Sequence, residues 1–279
     1  MKKYLLIIFL TLSISILAQD DKPKDGWVNS GVVGLNANQI SLSNWSQGGD
    51  NTFSWTIFGK FEAVYTKAPI TLKNNLKLSF GKTKIGDADF ITNDNEIYLE
   101  NVLGYDVDWE VTPFFSNTFR SVLGPGYDYS SSPKIKTSAI LDPGYLTQSF
   151  GLMYDKLAGF STRLGFALQE VITSDFKHYA DDPDTHDEVE SFKFETGIES
   201  VTKAKYTFKE NIQLESQLRL FTRFEEIDVV DVRWDNTVTA KISDLFNVNL
   251  NVLLIYEKQQ SLKTQVKEAL QFGISYTLF

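Results

Sequence analysis

The chain has 279 residues, no cysteine and a formal net charge of −9. The missing thiols exclude disulfide staples and cysteine chemistry, and the acidic balance speaks against a nucleic-acid partner, whose phosphates need a basic surface. Aromatic residues reach 14%, but no stretch after residue 18 has the length and purity of a membrane-spanning helix, so a membrane-embedded form of this chain has to be built from strands.

The chain opens "MKKYLLIIFLTLSISILAQDD". Lys2 and Lys3 form a basic head, Tyr4 to Leu17 an apolar core, and Ser15 and Ala18 supply the small residues of a cleavage site. This predicts a secretory signal peptide over residues 1–18, with no cysteine after it to carry a lipid anchor. A short periplasmic segment is expected over 19–30, and one barrel domain over 31–279.

Beyond that point apolar and polar residues alternate with period two, the signature of strands with one greasy and one wet face. Region 31–43 carries Val33, Leu35 and Ala37, then Ile40 and Leu42 on the opposite parity, which predicts a bulge. Alternation continues over 53–65, 72–80, 96–109, 111–119, 146–154, 160–172 and 192–198. "KYTFKENIQLESQLRLFTRF", Lys205 to Phe224, reads as one long strand. Its lipid side would hold Ile212 to Leu220, including Leu214, and its wet side Lys209, Gln213, Glu215, Arg219 and Arg223. With 230–242, 246–256 and 270–278 the prediction is twelve strands, an even number as single-chain bacterial barrels have.

The connections sort by length. Thr66–Pro69, Asp108–Glu110, Asp155–Gly159, Thr202–Lys203 and Ser243–Leu245 are short. The intervening ones are mostly longer, the largest being Ser121–Gly144 and Ser174–Glu190. Tight periplasmic turns alternate with outer loops in this way, whereas a soluble sandwich has no reason to sort its loops. Aromatics gather near strand ends, with Tyr65, Trp109, Tyr154, Tyr206 and Tyr276 beside short turns and Trp55, Phe119, Phe224 and Tyr256 toward long loops. Those are two interfacial girdles. The predicted fold class is all-β, a transmembrane up-and-down antiparallel β-barrel. The chain ends "QFGISYTLF", where Gln271, Gly273, Tyr276, Leu278 and Phe279 stand at the spacing of the signal that the barrel assembly machinery reads.

"GWVNSGVVGLNANQISLSNWSQGGDNTFSW", with Asn44-Trp45-Ser46-Gln47-Gly48-Gly49 at its centre, resembles the hallmark of a barrel family of the Bacteroidota, domain of unknown function 3078. The resemblance extends more loosely over nearly all of the chain after the leader. It implies an outer-membrane barrel and no activity, so no catalytic residue carries over. Gly48-Gly49 suits a tight outer turn at positive φ, and Trp45 would sit at the membrane interface.

Chemistry-bearing residues are few. His178 and His186 both lie in "SDFKHYADDPDTHDEVE". His186 beside Asp184 or Asp187 imitates a base–carboxylate pair, but no motif marks a serine nucleophile. Asp181, Asp182, Asp184, Asp187 and Glu188 lack the ordered spacing of a calcium loop. The sequence therefore predicts no enzyme, no metal and no cofactor; the loop reads as solvated and loosely bridged by cations to lipopolysaccharide. The lumen is expected to be lined by Lys73, Lys77, Lys209, Glu215, Arg219, Arg223 and Arg233, among further charges of both signs. Near-balance predicts ion pairs crossing the lumen rather than a selective ring of one sign.

Two functions fit: a narrow channel or transporter for a small solute, or a non-conducting barrel partnering an envelope complex. Segment 121–144, with Tyr127, Tyr129 and Ile140, has enough apolar surface to fold inward as a plug. The expected location is the bacterial outer membrane, and the expected contacts are its lipid, lipopolysaccharide and the assembly machinery.

Overall fold

The structure, a computed structural model, describes residues 25–44, 46, 48–182, 185, 189–258 and 261–279. The predicted signal peptide lies outside them. The strands are β1 Gly26–Ile40, β2 Thr52–Lys67, β3 Ile70–Ile85, β4 Ile91–Tyr105, β5 Thr112–Ser121, β6 Gly126–Asp128, β7 Ile135–Ser138, β8 Gly144–Tyr154, β9 Phe160–Ile172, β10 Phe192–Phe208, β11 Ile212–Arg223, β12 Val230–Lys241, β13 Phe246–Tyr256 and β14 Gln265–Thr277. Twelve of them close into one barrel in sequence order, β14 returning to β1, while β6 and β7 form a hairpin within the β5–β8 connection. Every ladder is antiparallel, so the barrel runs up and down. No helix among the described residues is long and apolar enough to cross a membrane.

The faces are inverted relative to a water-soluble protein. On β8, Ser149 is 1% exposed while its neighbour Phe150 is 52% exposed. On β10, Glu199 is buried and Phe192 and Phe194 point outward. Burying carboxylates and exposing phenyl rings is stable only where hydrocarbon lies outside and partners lie inside. Exposed aromatics band the short-turn end at Trp27, Tyr105, Trp109, Tyr206 and Tyr276, and Trp27 packs on Tyr65 with ring centroids 5.2 Å apart. Such rings belong at the lipid headgroups. The chain is a transmembrane β-barrel.

Connections at one end span only 68–69, 106–111, 155–159, 209–211 and 242–245. At the other end they span 41–51, 86–90, 122–143, 173–191, 224–229 and 257–264. Several expectations are corrected here. β1 starts at Gly26, inside the segment assigned to the periplasm. The bulge expected near Ile40 is absent, since β1 pairs with β2 without a break from Gly26–Thr66 to Ile40–Thr52. The register instead shifts between Gly81 and Lys82, where β3 meets β4. Thr202–Lys203 is no turn but the middle of β10. The chain reverses at 209–211, with Lys209 at φ 55. "KYTFKENIQLESQLRLFTRF" is thus two strands. Phe208 pairs with Ile212 across a three-residue turn, and paired residues point to the same face. Alternation therefore passes through the turn in phase, which makes a hairpin look like one strand. Gly48 and Gly49 hold φ of 80 and 111, a backbone that glycine adopts without steric cost, in a connection that spans 41–51 and is not the tight turn expected; Trp45 and Gln47 lie outside the described residues.

The ring closes on a short ladder. β1 and β14 pair only from Val32–Thr277 to Ala37–Phe272. Just beyond β14, Leu278 N–H donates to Gly31 O and Gly31 N–H to Phe279 O. Gly31 lets the Phe279 ring pack close to the backbone, since a Cβ there would stand 2.9 Å from that ring and push it aside. Above Ala37 the strands part, and Asn38 reaches Leu270 O only through its side chain.

The assignment of faces makes a depth-dependent prediction. Leu218 is central in β11 and faces outward opposite Trp234; Leu214 faces the same way near the strand start, and Gln213 bonds Glu215 on the inner face. Leu218→Arg should cost about 2–4 kcal/mol of stability in lipid vesicles, Leu214→Arg less, and Gln213→Arg close to nothing, as read by urea unfolding. A Trp placed at 218 should be quenched by brominated acyl chains, and one placed at 213 should not.

Candidate functional site in the lumen

β4 supplies the spine of the site. Its inward positions are Asp94, Glu96, Tyr98, Glu100 and Val102, every second residue as the pleat dictates. Each of the first four is bonded to the far side of the barrel. Lys267 of β14 lies 3.2 Å from Asp94. Arg233 of β12, on the opposite wall, lies 2.6 Å from Glu96. Gln217 of β11 donates to Tyr98 Oη at 3.1 Å. Lys203 of β10 and Arg163 of β9 both bind Glu100, the latter at 2.8 Å. These bonds span the lumen from wall to wall.

Further pairs extend the column. Arg219 donates through Nε to Glu199 at 2.7 Å and through Nη2 to Gln169 at 2.9 Å. Ser149 donates to Glu199 and meets Ser116 at 2.6 Å. Arg223 bridges Glu195 and Asp231 at 2.7 and 2.8 Å. Phe221, an apolar residue on the wet face, is wholly buried. The Arg219 and Arg223 guanidiniums lie 5.2 and 5.4 Å from its ring centroid, where the negative face of the ring attracts them. Toward the short turns, Val102, Phe114 and Met153, on the neighbouring strands β4, β5 and β8, form a buried apolar cluster on one wall. Glu215 holds both Lys60 and Lys205, at 3.1 and 3.2 Å.

Of the sequence-predicted lumen residues, Lys77 reaches Asp235 at 3.9 Å, and Glu215, Arg219, Arg223 and Arg233 sit in the column just described. Lys73 binds Asp155 at 2.5 Å on the short-turn rim. Lys209 is a correction: it is exposed in the turn outside the lumen, because its left-handed backbone reverses the chain there. The C-terminal residues divide between the faces. Gln271 points inward to Asn36 and Thr56, and a Cβ at Gly273 would collide with Asn247 and Asn36. Tyr276 and Leu278 point outward.

The lumen has two spaces. A cavity of about 10 Å³, room for roughly one water, lies among Lys77, Glu96, Tyr98, Arg120, Gln217, Arg219, Arg233 and Asp235. On its long-loop side opens a vestibule of about 440 Å³. The β5–β8 connection partly roofs it. Asn95 Oδ1 accepts Leu123 and Gly124 N–H, and Tyr129 Oη accepts Thr92 N–H at 2.9 Å. Tyr127 lines the vestibule, whereas Ile140 is 65% exposed and does not fold inward. The connection is a partial roof, and the ion pairs at Glu96 and Asp235 lie beneath it. Leu253 and Ile255 add an apolar wall that the sequence reading missed. Its signal was the run Val252–Tyr256, apolar on both parities.

His178 stacks on Tyr179 at 4.1 Å in the 173–191 connection. Asp184, His186, Asp187 and Glu188 lie outside the described residues. Among those described, no three His, Cys, Asp or Glu side chains are placed to hold a metal.

The family described as "Protein of unknown function (DUF3078)" matches residues 37–127. No curated protein matches the chain. Among solved structures, the chain is similar to an outer membrane channel from Pseudomonas putida F1, at TM-score 0.39 and 12% identity over 92% of this chain and 99% of that one. It is similar to the translocator domain of the autotransporter NalP from Neisseria meningitidis, at 0.35 and 10% over 92% and 90%. The CymD monoaromatic hydrocarbon channel matches at 0.35 and 10% over 91% and 88%. Nothing about cargo follows from likenesses of this degree.

The column's energetics can be tested at its most buried acid. Glu100 is 2% exposed and serves two cations. Glu100→Gln removes the charge that both bind, leaving Arg163 only the more distant Glu199, and should cost about 3–5 kcal/mol. Lys77→Gln breaks a longer, more solvated pair and should cost within about 1 kcal/mol. Urea unfolding of the two variants in vesicles checks the ranking.

Proposed function

We propose that this chain is an outer-membrane barrel that receives a small solute from outside and passes it through a gated lumen. The long connections then face outward and the short turns face the periplasm, the usual orientation of such barrels. The observation that carries the reading is the Arg233–Glu96 bond between opposite walls, directly beneath a vestibule of about 440 Å³. A chamber of that size lies within the range of small-molecule sites. A bond of this kind closes the lumen while it holds and can be displaced by a charged solute. In a planar bilayer the wild-type protein should be mostly closed, and the double variant Glu96→Gln/Arg233→Gln should show longer and more frequent openings.

A second reading, a non-conducting barrel that serves an envelope complex, draws support from the further lumen-crossing bonds at Asp94, Tyr98 and Glu100, which would have to part as well as Arg233–Glu96. Silence of both wild type and double variant would favour it over the gated channel.

The C-terminal strand is proposed to carry the assembly signal through Tyr276, Leu278 and Phe279. Deletion of Phe279 should lower the amount of barrel assembled in cells without changing synthesis. Because Phe279 also seals Gly31, Tyr276→Ala, on the outer face, separates recognition from packing. Unchanged assembly in both variants would remove the idea.

A further inference from the structure

We infer that the vestibule floor binds the carboxylate of a small organic acid, with Arg120 as the principal anchor and the apolar wall holding the acid's carbon body. The inference deepens the gated-lumen reading and rests on its assignment of the vestibule to the solute.

The charges around the constriction are uneven. Lys77, Arg120, Arg219 and Arg233 face only two carboxylates, Glu96 and Asp235. Arg233 takes Glu96 at 2.6 Å, Lys77 takes Asp235 at 3.9 Å, and Arg219 turns to Glu199 at 2.7 Å. Arg120 is left to share Glu96 at 3.8 Å, and its buried Nε makes no hydrogen bond. It is the surplus cation of the floor, propped 5.6 Å from the Tyr98 ring centroid. Of the vestibule's own carboxylates, Asp94 is engaged by Lys267 and Asp231 by Arg223, while Glu257 stands one residue beyond the outer end of β13.

A planar guanidinium selects a carboxylate, which it can hold through two parallel bonds. Its worth is greatest where water is scarce and field lines are confined, as at the bottom of a narrow chamber. Above Arg120 the wall is apolar at Val122, Leu253 and Ile255 and aromatic at Tyr127. Such a wall has nothing to offer a bare, fully hydrated anion and much to offer a ring or short chain. A carboxylate seated at Arg120 also stands where it competes with Glu96 for Arg233, which couples binding to release of the cross-lumen bond.

The test is titration calorimetry on the purified, detergent-folded barrel with benzoate, benzyl alcohol and inorganic phosphate. Benzoate should bind about tenfold or more tightly than either alternative, the loss of a charged hydrogen bond being of that order. Arg120→Gln should reduce benzoate to the level of benzyl alcohol and leave benzyl alcohol unchanged. Arg120→Lys, which keeps the charge and loses the fork, should recover part of the affinity. Folding of each variant is checked by heat-modifiable migration, and if Arg120→Gln does not fold, the ligand comparison and Arg120→Lys decide. Equal binding of benzyl alcohol, or benzoate affinity unaffected at Arg120, overturns the proposal. Equal binding of phosphate overturns the organic-acid class and leaves a site for anions at large. Benzoate binding by a barrel that never conducts would refute the gated lumen alone, and conduction without benzoate binding would refute this inference alone.

Discussion

Charge neutralisation inside a closed space governs this molecule. Rolling twelve strands into a ring puts each strand's polar side into an interior that holds little water, so ions there need counter-ions close by. β4 meets that demand with an acid or a phenol at each inward step from Asp94 to Glu100, and the opposite walls answer with Lys267, Arg233, Gln217 and Lys203. The same bonds that satisfy the interior also fill it. The crowding of the lumen by cross-wall bonds thus follows from barrel size and charge content together.

Much of this was legible in the chain itself. Alternation gave twelve barrel strands because outward residues must be apolar along the whole lipid-crossing length, as Leu164 and Phe166 are beside Arg163. The turn at 209–211 was hidden because an odd-length hairpin turn keeps the phase of alternation, so Lys209 was read as one more wet-face residue. The same error displaced a turn to Thr202–Lys203, two polar residues in mid-strand whose Lys203 spends its charge on Glu100.

The pairings themselves were not legible. Arg233 and Glu96 stand 137 positions apart and Gln217 and Tyr98 stand 119 apart. Period two says that each faces inward and nothing about which strand lies opposite or at what height. Nor could alternation reveal Phe221, an apolar residue on the wet face, or the reason for Gly273, which leaves room for the amides of Asn36, Asn247 and Asn249. Leu253 and Ile255 left a visible mark, a break in alternation, but its meaning depends on the chamber beside them.

A ring under tension yields at its shortest joint. The β1–β2 ladder runs fifteen residue pairs, whereas β1 and β14 share six, all in the short-turn half of β14. Above them, the edge of β14 from Gln265 to Gln271 has no backbone pairing with β1 and is met from that strand only by the Asn36 and Asn38 side chains. Backbone groups on such an edge are free to template another strand. The hoop is therefore not uniform: it has a hinge side, along the long ladders from β2 to β4, and a clasp, fastened by six pairs and the last two residues of the chain. Thermal swelling, or a load on the wall, would be expected to part the clasp from the outer rim downward, with Gly31 and Phe279 the last to let go.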